Sequence, residues 1–174
     1  IDELAGIEIT SVSKRPEPIA GAPAAVYVIT SDEIRRSGAT SIPEALRLAP
    51  NLEVARVDSQ NYTISAHGMN SVNAANKLLV LIDGRSVYTP FFSSVFWDQQ
   101  HMTLADIERI EVISGPGGSL WGANAMNGVV NIITRSAAQT GGGLVDTQAG
   151  DFTQRADARW GGRLGERGTY RVYA

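Results

Sequence analysis

The chain contains no cysteine, which excludes disulfides and thiolate metal sites. Its two histidines, His67 and His101, stand far apart, so no His-rich metal cluster is expected. Basic residues are not in excess. Fifteen Lys and Arg face eighteen Asp and Glu, a formal net charge of −3, and nucleic acid is not expected as a partner because nothing neutralises its backbone. Long apolar runs are missing too. The longest, "AAVYVI" (24–29) and "LLVLI" (78–82), have the length of core strands, far short of the roughly 18 residues of a membrane helix. A membrane-crossing β-strand stays open, because its signal is weaker per segment. The sequence opens on Ile1 in a polar context, which reads as a processed or trimmed product.

What is present is the composition of a globular protein, 43% hydrophobic and 19% charged. Residues 1–23 read as an extended, poorly packed arm, because "KRPEPIAGAP" places three prolines in ten residues. From Ala24 the pattern is globular. "AAVYVIT" predicts a buried strand and "SDEIRRSG" a short helix, capped by Ser31 and closed by Gly38. A second helix is predicted from Ser41, with Ser41 and Glu44 as a capping box and Pro43 in the first turn. Strands are predicted at 52–57, 62–67, 77–83, 107–113 and 128–134, and Asp83-Gly84 is a turn signal. Residues 88–103 read as a long ordered loop rich in aromatics. In "RADARWGGRL" (155–164) Ala156, Ala158, Trp160, Gly162 and Leu164 share one face, and Arg155, Asp157, Arg159, Gly161 and Arg163 share the other. That period of two fits a soluble antiparallel sheet or a transmembrane β-barrel. Residues 143–150 alternate more weakly and 169–174 put Tyr170, Val172 and Ala174 on one face; three such strands cannot close a barrel, which needs about eight. On the barrel reading the chain is part of a longer receptor.

The stretch "SGPGGSLWGANAMNGVVNIITR" (114–135) resembles a phosphate cradle, a strand running into a Gly-rich loop. It fails at a necessary residue. Gly117 and Gly122 have Walker spacing, but Ala123 and Asn124 follow them where Lys and Ser or Thr are required. A dinucleotide fingerprint fails at Leu120. The glycines therefore read as a tightly folded turn with Trp121 as an apolar anchor. Glu108 and Glu111 lie three apart on a strand and point to opposite faces, which excludes a local acid–base pair. No nucleophile motif occurs, so no enzyme, cofactor or resident metal is expected.

The set "APAAVYVITSDEIRRSGATSIPEALRLAPNLEV", "NKLLVLIDGRSVY" and "DIERIEVISGPGGSLWGANAMNGVVNIITR", followed by barrel-like strands, resembles the N-terminal plug of a TonB-dependent outer-membrane receptor. The resemblance covers nearly the whole chain. It implies an α+β fold: a compact plug domain with a small mixed β-sheet and short helices, followed by the first antiparallel strands of a transmembrane β-barrel. The divisions are an arm at 1–23, the plug at 24–136 and barrel strands at 137–174. It implies a gate inside the barrel in the cell outer membrane, with the N-terminus periplasmic. Its partners would be the TonB periplasmic domain, the chain's own C-terminal barrel and a small-molecule metal chelate, such as a ferric siderophore.

Carried over by position, the TonB-coupling box falls in "GIEITSV", on Ile7, Glu8, Ile9, Thr10, Ser11 and Val12. A short β-prone segment before a Pro-rich linker suits strand addition to a partner's sheet edge. The resemblance places substrate-facing apical loops at 69–76 and 88–98, with Asn70, Asn73, Asn76, Tyr88, Phe91, Phe92, Phe96 and Trp97. The plug–barrel locking positions are His67, Gly68, Glu108, Glu111, Ser114 and Gly115. The family pattern has arginines, pairing with barrel glutamates, where this chain has His67 and Ser114. The usual lock is therefore not expected. Two other classes fit parts of the sequence: a signalling or secretion module sharing the plug fold, and a small α/β enzyme using the Gly-rich loop.

Overall fold

The structure, a computed structural model, describes residues 8–11, 15, 17–22, 24–58, 61–68, 70, 76–89, 91, 94–100, 102–115, 118–150 and 154–174. Strands β1 (Glu8–Ile9) and β2 (Glu17–Pro18) form a short antiparallel pair at the N-terminus. Then come β3 (Ala25–Thr30), α1 (Ser31–Ser37), α2 (Ile42–Leu46), and the hairpin of β4 (Glu53–Arg56) and β5 (Tyr62–Ser65). After these follow β6 (Leu78–Ile82), β7 (Arg85–Ser86), β8 (Ile107–Ser114), α3 (Gly118–Trp121) and β9 (Gly128–Thr134). The strands β10 (Gly142–Ala149), β11 (Gln154–Leu164) and β12 (Gly168–Tyr173) complete the order.

Helix α1 starts one residue earlier than its sequence signal. Thr30, not Ser31, is the cap. Its Oγ1 accepts from the Glu33 backbone N–H at 3.3 Å, while the Glu33 carboxylate accepts from the Thr30 N–H at 2.8 Å. Gly38 closes the helix in the left-handed region, φ 70°. The capping box foreseen at Ser41 does not form, and Ser41 makes no side-chain cap bond. Glu44 instead accepts from Arg47 Nε at 2.7 Å. A guanidinium is a stronger partner for a carboxylate than a neutral backbone N–H.

The central sheet is mixed, in the order β3-β8-β9-β6-β7. All its pairs are antiparallel except β6 with β9. Asp83 (φ 49°) and Gly84 (φ 77°) turn β6 into β7, as a two-residue hairpin with positive φ at both positions requires. On one face of the sheet Ile29, Ile110, Val112, Val130 and Ile132 pack with Ile34, Ile42 and Leu46 of the helices. On the other, Leu79, Leu81, Ile113 and Val129 pack with Ala125 and Trp121. Strand β6 is covered on both faces, which explains its uninterrupted apolar run.

Strands β10, β11 and β12 form a separate antiparallel meander. The alternation read from the sequence has a direction. Val145, Trp160, Leu164 and Val172 point outward and are 74%, 61%, 72% and 58% exposed. Asp146, Gln148, Arg155, Asp157 and Arg159 on the opposite face are half-buried. Apolar-out, polar-in is the arrangement of a barrel wall around a filled lumen.

The glycine that ends the Gly-rich loop is sterically required. Gly128 opens β9 at φ 153°, and a Cβ there would lie 2.3 Å from the Ile113 carbonyl oxygen on β8. Gly128→Ala is expected to destabilise the plug by about 1–3 kcal/mol, measured as a lowered denaturant midpoint. An unchanged midpoint would show that β8 and β9 can separate freely there.

Candidate functional site

Strand β8 carries Glu111 on the second sheet face, opposite Asn131 of β9 in register. Glu111 is fully buried. A carboxylate in that position needs donors, and the nearest come from a hundred residues away. The Thr10 N–H donates at 3.3 and 3.1 Å to the two carboxylate oxygens, and the Ser11 N–H donates at 2.9 Å. The Ser11 hydroxyl donates to Glu111 as well. Arg109 Nε completes the set at 2.9 Å, and the same guanidinium reaches Glu108 at 2.5 Å.

Ser11 is fixed from three sides. Its hydroxyl accepts from Asn131 Nδ2 at 2.8 Å, and its carbonyl accepts from Trp121 Nε1 at 2.8 Å. Ile9 beside it is fully buried. The described part of the N-terminal arm is therefore seated on the plug and not loosely packed as the prolines suggested. Composition reports local packing only, and the carboxylate that captures this segment is far away in sequence. Ile7 and Val12 lie outside the described residues. Glu8 is exposed, in β1.

Charge-assisted bonds of this kind are about twice as strong as neutral ones. The Gly-rich loop serves the seat directly, because α3 delivers Trp121 to the Ser11 carbonyl. The loop binds the chain's own backbone.

The other positions singled out in the sequence fall elsewhere. His67 (φ 57°) and Gly68 (φ 66°) form an exposed turn after β5. Ser114 Oγ accepts from Asn51 Nδ2 inside the plug, and the Gly115 N–H donates to the Asn127 carbonyl at 3.3 Å. Asn70 braces its own loop. Its Nδ2 donates to the Ile64 carbonyl at 2.9 Å, and its Oδ1 accepts from the Lys77 N–H at 3.2 Å. Trp97 is packed in the first core, with Phe96 half-buried next to it. Phe91 is 89% exposed, and Tyr88 and Asn76 are half-buried. Asn73 and Phe92 lie outside the described residues.

Sequence reasoning missed a second buried carboxylate, Asp106, which meets Arg159 and Tyr173 of the three-stranded wall. The alternating Arg155, Asp157 and Arg159 row was the available signal, since charges on an inward face need partners. Between α1 and β10 lies an open cleft of about 800 Å³, lined by Asp32, Arg35, Arg135, Asp146 and Gln148 among others. A hydrogen bond from Arg35, with the charge of Arg36, holds the Asp32 carboxyl below the usual carboxylate range.

A family model described as the TonB-dependent Receptor Plug Domain matches residues 18–129. The vitamin B12 transporter BtuB of Vibrio vulnificus is 32% identical over 84% of this chain and 23% of its own length. That of Photobacterium profundum is 32% identical over 93% of this chain and 26% of its own. The chain thus spans about a quarter of these curated relatives. Among solved structures, the pyoverdine outer-membrane receptor FpvA of Pseudomonas aeruginosa superposes with a TM-score of 0.73 at 21% identity, over 98% of this chain and 24% of that one. The alcaligin receptor FauA of Bordetella pertussis gives 0.73 at 22% identity, over 95% and 28%.

Glu111→Ala removes the acceptor shared by Thr10, Ser11 and Arg109. Loss of charged hydrogen bonds worth about 1.5–3 kcal/mol is expected to raise amide exchange at Thr10 and Ser11 by about tenfold or more. Exchange at wild-type rates in this variant would show that the segment is held by something else.

Proposed function

The chain belongs to the TonB-dependent receptor plug family, and on that premise we propose that it is the gate of an outer-membrane active-transport receptor, opened when TonB takes up the N-terminal segment now seated on Glu111. The family is one of outer-membrane receptors and transporters, not enzymes. The observation that carries the reading is the seat itself. The backbone N–H groups of Thr10 and Ser11 are bonded to the Glu111 carboxylate of β8, one of the central strands of the plug. A pull on that segment is a pull on the middle of the domain.

In this reading residues 6–12 are the coupling box. TonB would compete for the extended segment by adding it to a sheet edge. The competition has a defined stake: Thr10 and Ser11 must exchange their bonds to Glu111 for bonds to the partner. The outward apolar face of β10–β12 meets lipid, and the remainder of the barrel encloses the plug. The apical loops at 69–76 and 88–98 face the substrate, with the exposed Phe91 as the aromatic contact. Buried Trp97 and the bracing Asn70 shape the loop bases from within.

The substrate proposed is a chelated metal. The relatives named above are vitamin B12 transporters, and the solved neighbours are receptors for pyoverdine and alcaligin. A metal bound within an organic ligand is common to a corrinoid and a ferric siderophore. The sequence relatives named lie on the vitamin B12 side and the solved neighbours named on the siderophore side, so the siderophore is the narrower form of the proposal.

Two measurements test it. Deleting residues 1–12 from the full receptor is expected to abolish pull-down by the TonB periplasmic domain, and undiminished pull-down sinks the coupling assignment. Membranes bearing the receptor are expected to bind cobalamin or a ferric siderophore saturably. Failure to bind either class contradicts the metal-chelate reading.

A further inference from the structure

Asp106 closes the short turn Leu104–Asp106, and β8 begins at the next residue. It is fully buried. Among the described residues, the partners of its carboxylate come from the three-stranded wall. Arg159 of β11 donates to one carboxylate oxygen, and the Tyr173 hydroxyl of β12 donates to the other at 2.8 Å. Arg171, also on β12, stands 3.8 Å away and lies over the Tyr173 ring at 5.3 Å. The backbone around Asp106 is gripped by the same side chains. Arg171 donates to the Arg135 carbonyl at 2.7 Å, and the Arg135 N–H donates to the Asp106 carbonyl at 2.9 Å. Arg155 donates to the Met102 carbonyl at 3.2 Å.

The charges on the wall are not self-sufficient. Arg155 has Asp157 on its own strand, at 2.6 Å. Among the described residues, the acidic partner of Arg159 and Arg171 is Asp106, on the plug. Arg159 is 10% exposed and Arg171 17%. A guanidinium removed from water to that degree needs a carboxylate, and breaking a buried pair by removing one member is far costlier than the pair is worth intact. Two of the positions that the family resemblance marked for locking, His67 and Ser114, carry no charged pair among the described residues. Ser114 bonds Asn51 inside the plug.

We propose that Asp106 is the residue that locks this plug to its barrel wall, with the charges reversed: the carboxylate sits on the plug and the arginines, Arg159 and Arg171, sit on the wall. The proposal rests on the reading of 142–173 as barrel strands. Because β8 starts at Ile107, the lock immediately precedes the strand that carries the seat of the coupling segment, with Asp106 and Glu111 five positions apart. Force entering through Ser11 runs along β8 to Asp106. The part of the plug anchored through Asp106 and Arg135 stays on the wall until that lock breaks.

The test uses the full receptor in membranes, with its other cysteines replaced and one reporter placed at Ala45, a fully buried plug position. Maleimide labelling of Ala45→Cys at a fixed, subdenaturing urea concentration reads plug opening. Asp106→Asn and Arg159→Met are each expected to speed labelling by about tenfold. The double variant is expected to label no faster than the single ones, because both remove one interaction and the second substitution also removes the charge the first leaves unpaired. Tyr173→Phe, which deletes a single hydroxyl, should give a smaller acceleration, and it carries the test with Arg159→Lys if Asp106→Asn fails to insert. Asp83→Asn is the control. Asp83 accepts from Thr134 inside the plug, so its effect should multiply with that of Arg159→Met. Wild-type labelling in the single variants, or a product of effects in the Asp106–Arg159 double variant, overturns the proposal. Failure of the receptor to reach the outer membrane in any form, the unmutated one included, would instead count against the family-based reading beneath it.

Discussion

A carboxylate buried in the middle of a β-sheet organises this molecule. Glu111 sits between Val28 of β3 and Asn131 of β9 in register, on a face otherwise covered by Leu79, Leu81, Ile113 and Val129. An ionised group there is tolerable only if it is fully hydrogen-bonded. Arg109 supplies one donor. The rest come from the N-terminal segment, which is drawn onto the sheet because its backbone N–H groups are the solvent that Glu111 lacks. Seen this way, the polar centre of the second face is a socket. Asn131 and Trp121 shape it, and the Gly-rich loop exists to bring Trp121 into position.

The same strand has a second buried acid just before its first residue. Asp106 faces the wall as Glu111 faces the arm. The plug is thus tied on one side to the N-terminal segment, through Glu111, and on the other to the three-stranded wall, through Asp106. Between them lie Ile107 and Ile110, fully buried and paired with β9. In the gate proposed above, ladder bonds and packing along this strand would have to yield together.

Much of the fold was legible in the sequence. The alternation in 155–164 is a two-residue period read directly from side-chain identity, and the structure adds only which face points outward. "LLVLI" announced a core strand, and Asp83-Gly84 announced its turn. The central strands fell where their apolar runs lie. What was not legible has a common cause. Thr30 displaced Ser31 as cap, and Glu44 chose Arg47 over the Ser41 turn, through competitions among neighbours that propensity does not rank. The seating of Ser11 on Glu111 and of Arg159 on Asp106 joins residues 100 and 53 positions apart. Reading Glu108 and Glu111 as groups on opposite faces assumed regular alternation, but the bulge between Ile107 and Arg109 breaks it, and the Arg109 guanidinium reaches both carboxylates. Trp97 had the composition of a binding loop, but its burial reflects a core that only the tertiary arrangement defines.

The most direct test of the seat is to make it permanent. The absence of native cysteine from the chain allows Ser11→Cys and Asn131→Cys to be joined by a short bifunctional thiol reagent that is cleavable by reduction. In whole cells bearing the full receptor, uptake of the bound chelate is expected to stop when the link is formed and to return when it is cut, with ligand binding at the surface unchanged throughout. Uptake that continues at the uncrosslinked rate with the link intact would contradict the claim that the N-terminal segment must leave Glu111 for the gate to open.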